Sequence, residues 1–281
     1  MEEPREVRPA RRGPGAAGPV VAMVHGMEDT PESWTPLAEQ LAATLPGGCR
    51  TYALDMPWRA GNPYRWPHRG TPAHWLREAL AGLPEPADVL VGHSFGSNAV
   101  LQHLADCGPR GPEGVRAAVL VAPFYRPESL AVDWALHDAA LAGFRRTMAE
   151  GTRVRLGPRA ARMEDDVFSA MVDAVVDRIG PVGFLSLFLQ FVGTTELDLT
   201  RTPVPTLVLA GEHDEALAGE RASALAAAMP AATVRQYPHY RHCCHVERPA
   251  DVAAGIAGFL RSVLPDPTPT PSPSGAGTTR T

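Results

Sequence analysis

Short apolar runs recur along this chain at 19–24, 50–54, 89–91, 117–121 and 205–210, with a further strand-like stretch at 233–237. Runs without polar alternation are what strands buried on both faces of a parallel sheet require. Between them the apolar period lengthens. Leu37, Leu41 and Leu45 lie at helical spacing and are stopped by Pro46, Gly47 and Gly48. Ala99, Val100, Leu101 and Leu104 continue that pattern after the run at 89–91, and helices also fit 73–83, a stretch ending at 229, and 249–264. Strand and helix in alternation predict an α/β fold built on a doubly wound, mostly parallel sheet.

The alternation breaks between 126 and 202. Helices are expected over 130–148, 164–179 and 181–192, with no strand between them. Such an insertion reads as a helical cap over the C-terminal ends of the strands, where open α/β sheets bind ligands. The core is then 18–125 and 203–264. The Arg-, Pro- and Gly-rich arm at 1–17 and the Pro/Thr/Ser tail at 265–281 are expected to be disordered.

Chemistry enters at Gly92-His93-Ser94-Phe95-Gly96, a G-x-S-x-G match lying between a strand and a helix, the context that motif requires. A serine on so tight a turn takes a strained backbone, and Gly92 and Gly96 remove side chains that would clash with neighbouring elements. A serine hydroxyl is a weak nucleophile at neutral pH and needs a base, itself oriented by a carboxylate. In this fold the partners follow in the order serine, acid, histidine. Glu212 and Asp214 are the carboxylates in the turn after the run at 205–210, and His239, His242 and His245 lie beyond the last strand.

Composition narrows the setting without changing this picture. The 281 residues, 44% of them hydrophobic, suit one large domain with an insertion. A formal net charge of -5 gives no electrostatic case for nucleic acid. Every basic residue is arginine, and with 29 Pro and 26 Gly this reads as the codon bias of a high-GC bacterial genome. The N-terminal residues lack the apolar core of a secretory signal, and the longest apolar block, 181–193, is too short to span a bilayer. A cytoplasmic protein is expected, a monomer or homodimer with a small-molecule substrate. The four cysteines follow no zinc or disulfide spacing, and the grouping of His239, His242, Cys243, Cys244 and His245 matches no metal pattern. No metal and no cofactor are expected.

The ordered motifs resemble the α/β-hydrolase fold superfamily, in its capped branch of small serine hydrolases and esterases, from about residue 20 to 264. The family's Leu-Ala-Gly-x-x-Asp strand ending implies Asp214 as the acid, and its His-x-x-x-x-Glu-x-Pro implies His242, with Glu247 and Pro249 in place. Its His-Gly matches His25-Gly26, and its later tryptophan matches Trp34. The resemblance implies an oxyanion hole from the backbone N–H groups of Met27 and Phe95. Two positions depart from the pattern: Arg241 replaces the glycine before the histidine, and Trp58 replaces the glycine of Asp-x-Pro-Gly. Trp58, His93, Phe184 and Phe188 are expected to wall the substrate pocket. The implied activity is cofactor-free cleavage of a carboxylic ester or thioester of a hydrophobic small molecule. The same triad serves a lyase, cyclase or acyltransferase or a haloperoxidase-like side reaction, and a non-catalytic binding protein on this fold is a further alternative, disfavoured because every triad position is filled.

Overall fold

The computed structural model describes residues 8–13 and 18–264. Six parallel strands make the sheet: β2 (Val20–Val24), β3 (Arg50–Asp55), β4 (Val89–His93), β5 (Ala117–Val121), β6 (Thr206–Gly211) and β7 (Ala232–Tyr237). A seventh, β1 (Arg8–Arg12), pairs antiparallel with β3, and the strand order is β1-β3-β2-β4-β5-β6-β7. The chain steps outward from β2 to β3 and then crosses back to β4 on the other side of β2. That reversal opens a crevice at the strand C-termini.

The segment 8–12 departs from the disorder expected for 1–17. Pairing with the edge of β3 uses backbone groups, Arg8 opposite Asp55 and Arg12 opposite Tyr52, so composition is a poor guide to it. Residues 1–7, 14–17 and 265–281, for which disorder was also expected, lie outside the described residues.

Side chains alternate across the sheet and so build two layers. Val21, Met23, Val89, Val91, Val119 and Leu207 face α1 (Thr35–Thr44) and α8 (Pro249–Val263), burying Leu37, Leu41, Ile256 and Leu260. Ala22, Val24, Leu90, Leu120 and Val208 face the opposite layer, with Leu76 of α2 (Pro72–Ala81) and Leu101 and Leu104 of α3 (Phe95–Cys107). Each such Leu or Ile contributes about 1.5–3 kcal/mol of transfer free energy. This burial holds the strand ends, and hence the loops that leave them, in place.

The segment expected to form the cap, 126–202, holds α4 (Trp134–Leu156) packed on α5 (Asp165–Val192). Asp133 caps α4 by accepting the Leu136 amide at 2.8 Å. Phe144 and Met148 meet Val172, Val176, Ile179 and Phe184 in a shared core. The two helices expected at 164–179 and 181–192 run together as α5, broken at Gly180, whose backbone sits at φ 63, ψ -176. Pro181 has no N–H to continue the ladder. The joined stretch Asp165–Glu196 is longer than the 181–193 block and is apolar enough, by length and composition, to cross a membrane. The stretch is broken at Gly180 and packs on α4.

Gly180 lies in a backbone region essentially reserved for glycine, with open space around it. Gly180→Ala is therefore expected to lower stability by about 1–3 kcal/mol through strain alone, measured by denaturant unfolding. An unchanged midpoint would contradict this account of the kink.

Candidate active site

Ser94 stands between β4 and α3 with φ 50 and ψ -119, a conformation that costs a non-glycine residue about 1–3 kcal/mol. The two glycines around it work by close approach. A Cβ on Gly92 would lie 2.6 Å from the Ser97 Cα, and one on Gly96 would lie 2.4 Å from the Val24 carbonyl oxygen. The turn is held by the Ser94 amide and the Ser97 hydroxyl, which both donate to the Val121 carbonyl at 2.9 Å. Asn98 adds a two-bond clasp, its side chain donating to the Phe124 carbonyl at 2.7 Å and accepting the Phe124 amide at 2.9 Å.

Three of the residues expected in the site come together. The Ser94 hydroxyl donates to His242 Nε2 at 2.9 Å. His242 Nδ1–H donates to Asp214 at 3.0 Å to Oδ2 and 3.2 Å to Oδ1, and Asp214 Oδ1 also accepts the Ala216 amide at 3.1 Å. Glu212, the competing carboxylate, is exposed, as is His239. A Cβ on Gly211 would lie 2.1 Å from the Tyr240 carbonyl oxygen, so the acid's turn and the histidine's loop touch backbone to backbone. Burial pushes the His242 imidazole down and the Asp214 carboxyl up. Their mutual attraction and hydrogen bond outweigh this, with Glu150 adding to it on the histidine: His242 is raised above its ordinary range and Asp214 lowered below its own. The pair is thus built to stabilise an imidazolium.

His25 is not a base. Its Nδ1–H donates to the Gly26 carbonyl at 2.8 Å and its Nε2 accepts the Met56 amide at 3.1 Å, so both nitrogens are occupied. Burial lowers its pKa. Gly26 and Met27 follow in the loop after β2. The next two amides are spent on Trp58 O and Gly26 O, while the Met27 amide has no acceptor among the described residues. Phe95 opens α3, so its amide has no carbonyl one turn back.

A cavity of about 760 Å³ opens over Ser94 and His242, with Met27 and His93 on its wall. Its apolar lining comes from Phe124 and from cap residues including Leu136, Phe144, Met148, Leu187 and Phe191. Three of the four wall residues expected from sequence are elsewhere. Trp58 is fully buried: its indole N–H donates to the His25 carbonyl at 2.9 Å and its ring packs against Trp66 and Phe95. Phe184 and Phe188 stack on each other inside the cap, against His137. On the same helix it is Leu187 and Phe191 that reach the cavity. Arg241, where the family pattern has glycine, pairs outward with Glu247.

Sequence reasoning missed the cap's grip on the site. Glu28, next to Met27, has φ 56 and is fully buried. Its carboxylate accepts Arg178 of α5 at 2.6 Å and the Tyr64 hydroxyl at 3.2 Å, while Arg155 of α4 donates to its carbonyl. Glu150 of α4 accepts the His242 amide at 3.2 Å. An acidic residue in that loop was the available signal. Its partner lies 150 positions away, beyond the reach of spacing arguments.

Comparisons with known proteins bear on the family and the fold. The sequence matches the family described as "Alpha/beta hydrolase family" over residues 21–255. Among solved structures, a hydrolase from Pseudomonas aeruginosa is similar at 22% identity and TM-score 0.62, covering 90% of this chain and 93% of that one. An esterase from Rhodococcus sp. ECU1013 is similar at 20% identity and TM-score 0.60, with 92% and 99% covered. A monoacylglycerol lipase from Paleococcus ferrophilus is similar at 17% identity and TM-score 0.60, with 91% and 99% covered. No curated protein matches the sequence.

The Glu28 anchorage is testable by removing its cation. Arg178→Ala leaves a buried carboxylate without its ion pair, which is expected to cost about 2 kcal/mol, less than a fully buried pair because Arg178 is part exposed. Urea unfolding measures this, and a loss below a few tenths of a kcal/mol would show the pair is inert.

Proposed function

Because the chain belongs to the alpha/beta hydrolase family, we propose that it is a serine hydrolase cleaving a carboxylic ester or thioester of a largely hydrophobic small molecule. The observation that carries this reading is the unbroken hydrogen-bond chain from Ser94 through His242 to Asp214, placed at the floor of an apolar cavity.

His242 Nε2 takes the proton as Ser94 Oγ attacks the carbonyl carbon, giving a tetrahedral intermediate. The Met27 and Phe95 amides donate to its oxyanion, helped by the positive end of the α3 dipole. Asp214 holds the imidazole in the tautomer that exposes Nε2 to Ser94 and stabilises the imidazolium. His242 then protonates the leaving alcohol or thiol. Water, deprotonated by the same nitrogen, releases the acid from Ser94. No step draws on a cofactor. The wall residues Phe124, Leu136, Phe144, Leu187 and Phe191 offer an acyl or alkyl chain contact area and few polar partners, which is the support for a hydrophobic substrate.

The test is hydrolysis of p-nitrophenyl esters and acyl thioesters of graded chain length. Wild type is expected to turn over members of the panel, and Ser94→Ala and His242→Ala to lose about 10⁴-fold or more. Full activity in Ser94→Ala would overturn the reading. Correctly folded wild type that turns over no member of either series would overturn the assignment to esters and thioesters.

A further inference from the structure

The geometry points to a second site behind the triad: we propose that Asp29, His93 and His245 together bind one divalent transition-metal ion, of which Zn²⁺ is the reference case. The three come from separate segments. Asp29 lies in the loop after β2, His93 ends β4 beside Ser94, and His245 lies in the short α7 (Cys244–Glu247). One nitrogen or carboxylate oxygen from each falls within 4.8 Å of the other two. The two imidazole rings are tilted 40° to one another with centroids 4.1 Å apart.

The hydrogen-bond pattern says what the space between them requires. His93 Nε2–H donates to the His242 carbonyl at 3.0 Å, so Nδ1 must carry a lone pair. That Nδ1 has no partner among the described residues, and neither ring nitrogen of the fully buried His245 has one. Buried polar atoms are almost always bonded, and an orphan is costly. Opposite them, the Asp29 carboxylate accepts the Thr30 amide at 2.8 Å and has no ion-pair partner among the described residues. A carboxylate and two imidazoles with unpartnered nitrogens thus lie within reach of one another, with no cationic side chain paired to the carboxylate among the described residues. A water would bridge some of these atoms but leave the carboxylate charge uncompensated. A divalent cation meets both needs.

The donor set fits. Two neutral imidazoles and one carboxylate are zinc ligands, and the same nitrogens suit cobalt, nickel or copper. Burial holds both rings in the neutral, ligating form, His245 at about 4. A Zn–N bond of about 2.0–2.1 Å asks the three side chains to draw inward by roughly an ångström. Asp29 and His93 also line the large cavity, which would give the ion a route in. Sequence spacing pointed away from this site because only His245 belongs to the run of His239, His242, Cys243, Cys244 and His245. A bound ion would tie the loop after β2, the nucleophile turn and the His242 loop together. It takes no part in the hydrolytic steps, so the site stands or falls separately from that reading.

Chelator-dialysed full-length protein should be titrated with Zn²⁺ against a chromophoric competitor, with the melting temperature followed in parallel. One ion per chain and a raised melting temperature are expected. Asp29→Asn and His245→Gln should each weaken binding about tenfold or more while keeping the wild-type circular dichroism. The double variant Cys243→Ser, Cys244→Ser should bind as wild type, and Co²⁺ should give a spectrum without a sulfur charge-transfer band. Absence of binding, which would leave a water as the occupant, overturns the proposal. So does binding that survives both ligand substitutions, or a sulfur band in the Co²⁺ spectrum.

Discussion

Everything in this molecule that bears on chemistry depends on one backbone turn, that of Ser94 at φ 50. The strain stored there has to be balanced by contacts that no relaxed turn could make. Gly92 and Gly96 let the turn press against α3 and against the end of β2, and two hydrogen bonds to the Val121 carbonyl hold it down. The turn in turn sets the direction of the Ser94 hydroxyl and places the first amide of α3 beside it. Were the turn to relax, the 2.9 Å contact with His242 would be lost together with the serine's position.

The cap is more than a roof over this turn. Its two helices reach down to the loops that flank Ser94. Arg178 and Arg155 hold Glu28, whose neighbour Met27 lines the cavity, and Glu150 takes the amide of His242. The cap therefore shapes the cavity wall and also fixes two of the loops that form its floor. A change in the cap's seating would be felt as a change in the geometry of the site, without any contact to the reacting atoms.

The parts legible in sequence were those carried by local pattern. Buried strands without alternation marked the sheet, and the glycines at 92 and 96 marked a turn whose steric cause the structure makes explicit. Local pattern left two carboxylates and three histidines open, and only the resemblance to a family's strand ending and helix start singled out Asp214 and His242. What was not legible depended on which way a side chain turned or on partners far apart in the chain. Trp58 turned inward because its indole N–H finds the His25 carbonyl and its ring finds Trp66 and Phe95. Phe184 and Phe188 pack within the cap while Leu187 and Phe191, on the same helix, face the cavity. Helical phase decides that, and the break at Gly180 resets the phase. Glu28 and Arg178 are 150 residues apart, and no spacing rule spans such a pair.

The central claim is that Ser94 is the nucleophile and His242 its base. Covalent labelling with a fluorophosphonate tests it most directly, since the reagent forms a Ser94 Oγ–P bond with loss of fluoride and needs no knowledge of the substrate. Intact-mass and peptide analysis should show one label per chain on Ser94, none on the Ser94→Ala variant, and greatly slowed labelling of His242→Ala. Labelling at any other residue, or none on the folded wild type, would contradict the account.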